Sequence, residues 1–228
     1  MKNNPVNHLA LIMDGNKRWS IKNSETLKNS YLSGLNNLQK VSRYCVENKI
    51  KYLTVYALSS ENFFRPGIKT IFDIIKDKSK ELGKNFFLNN NIKVNFIGQL
   101  NKLPKSTLII LKQIQKRKIK NNLLNLNIVI NYDSYEEIIS VYKLLLKDKI
   151  HEKNISYDLL RKYMYLGSIP DPDLLIRTGG YQRLSNFLLL YMNYTEFHFT
   201  STLWPDLKKN ELDAIINKFK KIKRNYGL

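Results

Sequence analysis

The sequence predicts an α/β protein built on a parallel sheet, and three features predict it. Short apolar or β-branched runs alternate with longer stretches of helical periodicity. Turn chemistry follows several of the runs, where a strand would hand over to a helix. No repeat, Gly/Ser linker or shift in composition divides the 228 residues, so a single domain over 1–228 is expected, long enough for a sizeable core.

The elements follow in order. Leu9-Ala-Leu-Ile-Met13 is too short for a confident helix and stops at Asp14-Gly15-Asn16, so it reads as a buried strand ending in a turn. Residues 30–48 carry Tyr31, Leu32, Leu35, Leu38, Val41, Cys45 and Val46 at helical spacing. Residues 51–57 are β-branched and aromatic, a second strand that runs into the polar segment 58–66. Residues 68–88 are apolar at helical spacing (Ile71, Phe72, Ile74, Ile75, Leu82, Phe86) and predict one long helix. A strand over 93–98, a helix over 104–118 and a strongly alternating strand over 124–132 come next. Helices are predicted over 136–146 and 156–165. A short strand over 173–178 closes in Gly179-Gly180, an apolar stretch covers 186–192, and a strand covers 196–199. A helix over 207–225, basic on its outer face, ends the chain.

Hydrophobic residues make up 43% of the chain and aromatics 11%, a globular composition. No apolar run approaches the roughly 18 residues of a membrane span, and Asp14 and Lys17-Arg18 interrupt the only candidate signal segment. The lone cysteine, Cys45, excludes an internal disulfide, and the chain reads as soluble and cytoplasmic. The net charge of +19 would ordinarily point to nucleic acid. Only 8 of the 38 basic residues are arginine, however, and the lysines are scattered as in a compositional bias, so nucleic acid is not the expected partner. Four of those arginines, Arg18, Arg65, Arg177 and Arg183, fall in three short polar segments.

Those segments, 14–19, 59–65 and 177–185, each follow a predicted strand. In open parallel sheets, ligands bind beyond the carboxyl ends of the strands. Gly15 allows close backbone approach and N–H groups aimed at an anion; Arg18 can grip a phosphate with two parallel bonds. A carboxylate, Asp14, among phosphate-binding donors makes sense if a divalent cation lies between it and the phosphate, which is the pattern of a diphosphate–Mg²⁺ site. Arg177, Arg183 and Ser185 can clamp a second diphosphate. Arginine suits such planar recognition, and lysine is not equivalent.

The motifs His8-Leu-Ala-Leu-Ile-Met-Asp-Gly-Asn-Lys-Arg-Trp19, Tyr56-Ala-Leu-Ser-Ser-Glu-Asn-Phe-Phe-Arg-Pro66 and Asp173-Leu-Leu-Ile-Arg-Thr-Gly-Gly180 resemble those of the cis-prenyltransferases. So do Leu184-Ser-Asn-Phe-Leu-Leu189, Glu196-Phe-His-Phe-Thr200 and Leu203-Trp-Pro-Asp206. The likeness is to the bacterial undecaprenyl diphosphate synthase (isoprenyl transferase) type and runs from His8 to Arg224-Asn-Tyr-Gly227, with motifs in family order. It implies a homodimeric α/β fold on a six-stranded, mostly parallel sheet, with an apolar tunnel for the growing chain. It further implies Mg²⁺-dependent, cis addition of isopentenyl diphosphate to an allylic diphosphate, usually farnesyl diphosphate, giving a long polyprenyl diphosphate of the cell-wall lipid-carrier kind. By motif position, Asp14 would be the metal-linked catalytic acid, with Glu196 assisting at the metal. Gly15, Asn16 and Arg18, with Lys17 and Trp19 in the same segment, would cradle the allylic diphosphate. Arg177, Arg183 and Ser185 would hold isopentenyl diphosphate. Ser59, Glu61, Asn62 (a second catalytic candidate), Phe63 and Arg65 would line the place where the bond forms. The general base is open between a side chain and the released diphosphate. The basic last helix would allow peripheral membrane contact on product release, or is a solvated face.

The chain departs from the family pattern at definite places. The family's primer-binding arginine falls at Leu27 and its histidine at Tyr31, with Lys28 a candidate substitute. Asn-Tyr-Gly-Gly-Arg becomes Asn131-Tyr-Asp-Ser-Tyr135, the Glu-His after Gly-Gly becomes Tyr181-Gln182, and a tryptophan becomes Phe63. Two alternatives accompany the chain-elongating reading: a non-catalytic or specialised partner subunit, and a synthase of short or irregular products. Asp14, Arg18, Asn62, Arg177 and Arg183 all stand against the first. His8, at the start of the first strand, is a candidate support for the Asp14 loop.

Overall fold

The computed structural model describes residues 4–65 and 67–224. Six strands, β1 (His8–Ile12), β2 (Tyr52–Ser59), β3 (Ile92–Ile97), β4 (Leu124–Tyr132), β5 (Leu174–Arg177) and β6 (Glu196–Phe199), form one sheet in the order β3-β4-β2-β1-β5-β6. Every neighbouring pair is parallel. Both faces of such a sheet must be covered, and β1 and β5 are accordingly buried along their whole length. Alternation along the strands divides the core. Leu9, Leu11, Leu53, Val55, Val94 and Leu126 pack on one face, and Ala10, Ile12, Tyr56, Ile97, Val129 and Leu175 belong to a smaller cluster on the other.

The larger cluster takes in side chains from α2 (Leu27–Glu47), α4 (Lys105–Gln115) and α7 (Lys209–Lys220). α5 (Ser134–Lys147) and α6 (Tyr157–Tyr163) follow β4 in the chain and pack against each other. Side-chain caps fix several starts: Thr26 accepts from the Asn29 N–H, Asp133 from the Tyr135 and Glu136 N–H groups, and Ser156 from the Leu159 N–H. The Thr26 cap starts α2 three residues before the predicted position.

Two elements differ more from the sequence expectation. The Asp-Gly-Asn turn opens directly into a short helix, α1 (Asn16–Lys22), whose cap residue Gly15 has φ 116°. A Cβ there would lie 3.0 Å from the Leu203 Cα, so the turn requires glycine on both conformational and steric grounds. The single helix expected over 68–88 is instead α3 (Ile68–Lys80) followed by a π-helical segment, Glu81–Phe87. Apolar periodicity carries through the change because Leu82, Phe86 and Phe87 remain buried. Pro66, the end of the predicted last helix at Asn225, and the Asn-Tyr-Gly that closes the family motif lie outside the described residues. Among the described residues no helix is long and apolar enough to cross a membrane.

A charged cleft that opens into an apolar pocket

The strand order brings the three polar segments together. β2, β1 and β5 are adjacent, so residues 14–19, 59–65 and 177–185 emerge side by side at the carboxyl edge, though up to about 170 positions apart in sequence. They enclose a cleft of about 890 Å³. Asp14, Gly15, Asn16, Lys17, Arg18, Ser59, Glu61, Asn62, Arg65, Arg177, Arg183 and Ser185 all line it.

Asp14 is its electrostatic centre. Its Oδ2 accepts from Arg177 Nη2 at 2.9 Å and its Oδ1 from Arg18 Nη2 at 3.2 Å. Arg177 is 4% exposed, and a buried guanidinium demands such a partner. Its Nη1 also donates to Ser185 Oγ at 3.1 Å and to the Arg183 carbonyl. Arg18 Nη1 donates to the Gly179 carbonyl at 2.6 Å. Gly179, at φ 84°, admits this approach: a Cβ there would lie 2.5 Å from Arg18 Nη2. Ser185 and Asn186 hold left-handed backbone at φ 51° and 59°, the kind of local strain that collects at binding sites. The Thr178 hydroxyl donates to the Asp14 carbonyl at 2.8 Å and the Trp204 N–H to the same oxygen at 3.0 Å, pinning the acid's backbone.

Polar atoms left without partners show what the cleft lacks. Asn16 Oδ1, Asn62 Oδ1 and Arg177 Nε are buried with no hydrogen bond among the described residues, a costly arrangement that a polar ligand would relieve. The Asn62 N–H is already held by Ser59 Oγ at 3.2 Å.

The inner end of the cleft is apolar. Met13, Asn16, Tyr31, Ala57, Leu58 and Ile71 line both the cleft and a second cavity of about 180 Å³. That cavity runs between the sheet and α2, α3 and α4, walled by residues such as Leu35, Leu38, Phe72, Ile75, Leu111 and Ile128. Ala57 is a bulge: Tyr56 pairs with Val129 and Leu58 with Ile130, so Ala57 has no ladder partner, and it is exposed in the middle of a buried strand. The bulge opens the sheet where the two cavities meet. Burial raises the pKa of the Tyr31 hydroxyl at this junction, with Arg65 pulling it down.

Several expected residues lie elsewhere. Trp19 turns away from the cleft, its Nε1 donating to Asp206 at 2.8 Å, and so ties α1 to the Trp-Pro-Asp turn. Phe63 packs against Phe72 with ring centroids 6.0 Å apart, outside the cleft lining. Glu196 begins β6, in register with Leu174 and through it with Leu9. It therefore stands three residues, roughly 10 Å along the strand direction, before the level of Ile12, where β1 ends, and it is not part of the cleft lining that includes Asp14. Lys28 does not fill the gap left at Leu27. Its Nζ faces Asp77 at 3.9 Å while Leu27 itself lines the cleft, its Cδ2 2.8 Å from where Gly67 would carry a Cβ. His8 is far from the Asp14 loop and belongs to a hydrogen-bonded row across the sheet. Sequence reasoning noted Tyr181 only as a departure, yet its ring lies among Arg18, Arg177 and Arg183. Its place between the two arginines of the 177–185 segment was the available signal.

A parallel α/β sheet with an anion-gripping cleft that continues into an apolar pocket defines a class: proteins that handle a diphosphate attached to a greasy chain. Residues 12–227 match the model of a family described as putative undecaprenyl diphosphate synthase. The chain is 35% identical over 227 residues to the tritrans,polycis-undecaprenyl-diphosphate synthase (geranylgeranyl-diphosphate specific) of Pyrococcus abyssi, covering 96% of this chain and 86% of that one. It is 36% identical to the isoprenyl transferase of Clostridium tetani, with 96% and 88% covered. The crystal structure of lavandulyl diphosphate synthase from Lavandula x intermedia, in complex with dimethylallyl diphosphate, superposes with a TM-score of 0.86 at 26% identity over 98% of this chain and 99% of that one. The chain belongs to the cis-prenyltransferase family, and it is a transferase of isoprenoid diphosphates.

Proposed function

We propose that the protein condenses isopentenyl diphosphate onto an allylic diphosphate, with farnesyl diphosphate as primer, to give a long-chain cis-polyprenyl diphosphate. The observation that carries this reading is the continuity of the two cavities. A diphosphate held by Arg18 and the N–H groups of the 14–18 turn would direct its hydrocarbon past Tyr31 and Ala57 into the apolar pocket.

The residues then have distinct tasks. Arg18, Lys17, Asn16 and the Gly15 turn hold the primer diphosphate and stabilise the charge that grows on it as the allylic bond ionises. Arg177, Arg183 and Ser185 hold isopentenyl diphosphate so that its double bond faces the allylic carbon, which converts a bimolecular encounter into a positioned one. Asn62, Ser59, Glu61 and Arg65 border the space between them, and the released diphosphate or a side chain there takes the proton. Asp14 suits Mg²⁺. A hard cation that keeps waters and binds through one or two carboxylates and substrate phosphates needs no protein cage, and among the described residues no three His, Cys, Asp or Glu side chains converge. Bound, the ion would neutralise leaving-group charge.

A second copy is the expected partner. On α5 Tyr135, Ile138, Ile139, Tyr142 and Leu146 are 45–62% exposed on one side of the helix, an apolar face that a homodimer would cover. Lys208, Lys209, Lys218 and Lys221 are exposed on and around α7 and would serve peripheral contact with an anionic membrane.

One specific feature favours shorter or irregular products as the competing reading: the cleft wall carries Leu27 and Tyr31 where a charged grip on the primer is the family pattern. One assay addresses both. Labelled isopentenyl diphosphate is incubated with farnesyl diphosphate and Mg²⁺, and product length is read by chromatography beside an Asp14→Ala control. Long product from the native chain alone supports elongation. Short product supports the competitor, and no product with any allylic primer would turn attention to a partner subunit.

A further inference from the structure

Tyr181 stands at the meeting point of three guanidinium groups. The Cζ atoms of Arg183, Arg18 and Arg177 lie 4.2, 4.9 and 5.6 Å from its ring centroid, all within cation–π range. Their other restraints differ. Arg18 and Arg177 are fixed by Asp14, and by the carbonyls of Gly179 and Arg183 respectively. The Arg183 guanidinium forms no ion pair or hydrogen bond among the described residues, and the Tyr181 ring is the contact that locates it.

Three like charges around one ring, two of them paired with Asp14, repel one another unless something draws them together. A second carboxylate would do so by cancelling charge that a diphosphate needs. An aromatic face does so through its quadrupole and leaves the cationic field intact. The preceding Gly179 and Gly180, at φ 84° and 82°, turn the backbone so that residue 181 comes back over the cleft.

We propose that Tyr181 is a positioning residue: its ring gathers Arg18, Arg177 and Arg183 and, above all, fixes Arg183, so that the second diphosphate meets a preformed clamp. The proposal rests on the function given above for the identity of the bound group, but its first test does not require turnover. Inorganic pyrophosphate is titrated calorimetrically, with and without Mg²⁺, into the native protein and into Tyr181→Ala, Tyr181→Phe, Arg183→Ala and Tyr181→Ala/Arg183→Ala. The side chain is 43% exposed, so the variants are expected to fold, and thermal melts check this. Loss of the ring should weaken pyrophosphate binding by about tenfold, while Tyr181→Phe, which keeps the ring, should bind as the native protein does. The double variant should be little weaker than Arg183→Ala, because the ring acts through that arginine. In turnover, Tyr181→Ala should raise KM for isopentenyl diphosphate and change kcat by less than twofold.

Unchanged binding in Tyr181→Ala would overturn the proposal. So would equal losses in Ala and Phe, which would assign the effect to the hydroxyl, or full additivity with Arg183→Ala, which would mean direct contact with the ligand. Ring-dependent pyrophosphate binding in a protein that makes no prenyl product would leave this inference standing and overturn the proposed function. Normal turnover with no effect at Tyr181 would do the reverse.

Discussion

Two sets of polar side chains are built on the same sheet and are finished differently. On one face of the sheet's amino half, a row runs from strand to strand. Asn95 Nδ2 donates to Asn127 Oδ1 (3.0 Å), Asn127 Nδ2 to Thr54 Oγ1 (3.0 Å), the Thr54 hydroxyl bonds His8 Nε2 (2.7 Å), and His8 Nδ1 bonds the Pro170 carbonyl (2.6 Å). The carbonyl can only accept, so Nδ1 carries the proton, and every link has a donor and an acceptor. At the carboxyl edge the cleft presents Asn16 Oδ1, Asn62 Oδ1 and Arg177 Nε with no partner among the described residues, and two arginines on one acid. A row whose links are all made holds the sheet together, and unpaired polar atoms beside clustered charge suit a polar ligand. The contrast predicts that changes in the row cost stability and spare activity, whereas changes in the cleft cost activity well beyond any loss of stability.

The largest expected effect is at Asp14. Asp14→Ala removes the acid against which Arg18 and Arg177 are set, and should lower product formation by about a thousandfold or more. Urea unfolding should show a loss of a few kcal/mol as well, because the buried Arg177 loses its ion-pair partner, so product formation is compared per folded molecule. A variant that loses activity only by unfolding would break the contrast.

Thr54→Val makes the opposite case. It keeps the shape and leaves the Asn127 amide and His8 Nε2 without their shared partner in a fully buried place, a cost of about 2–4 kcal/mol in urea unfolding. KM values for both substrates should stay near native. A shift in KM with stability unchanged would place the row in the catalytic apparatus.

The same row makes stability depend on pH. Burial holds the His8 pKa at about 4, below its ordinary 6.5, outweighing the Pro170 carbonyl and Asp173, which favour the charged ring. Between those values the unfolded chain binds the proton and the folded chain does not. Stability is therefore full above pH 6.5 and falls by about 3 kcal/mol as pH drops toward 4. Unfolding curves at pH 7 and 4.5 for the native chain and for His8→Gln should show a steeper loss in the native chain. Equal slopes would mean that His8 already titrates normally when folded.

How much of this was legible in the sequence follows the same division. Twelve of the fifteen expected site residues line the cleft, because motif residues beside strand ends need only the strand order to meet. β4 has the predicted bounds, since its alternation ends in the Asp133 cap of the next helix. Glu196 was misplaced because register is a property of paired strands and no single segment carries it. Trp19 and Phe63 were taken with their motifs, yet α1 and the packing on Phe72 turn them elsewhere. The row across the sheet was illegible: Asn95, Asn127 and Thr54 look like interruptions in apolar strands until the strands are adjacent.

Leu27→Arg sharpens the contrast from within the cleft. Leu27 lies in the cleft wall close to Gly67, and Lys28 points instead to Asp77. A guanidinium at position 27 would add a charge-assisted bond to the primer diphosphate, with an expected fall of about tenfold in KM for farnesyl diphosphate and no change in KM for isopentenyl diphosphate. If both KM values fell together, the two diphosphates would share one pool of positive charge and the division of the cleft into two sites would fail.

The smallest effect is expected at Trp19, which belongs to neither set. Its indole N–H bonds Asp206 behind the cleft, and this contact joins α1 to the turn whose Trp204 N–H holds the Asp14 carbonyl. Trp19→Phe keeps most of the packing and loses one bond to a charged acceptor, about 1–2 kcal/mol of stability. Because the Asp14 carbonyl has a second donor in Thr178, the acid should stay in place and kcat should fall no more than about threefold. A fall in kcat of a hundredfold at native stability would mean that the indole contact aims Asp14 and that Trp19 acts on the chemistry from outside the cleft. A loss of stability alone would mean that the backbone bonds from Thr178 and Trp204 suffice to hold the acid.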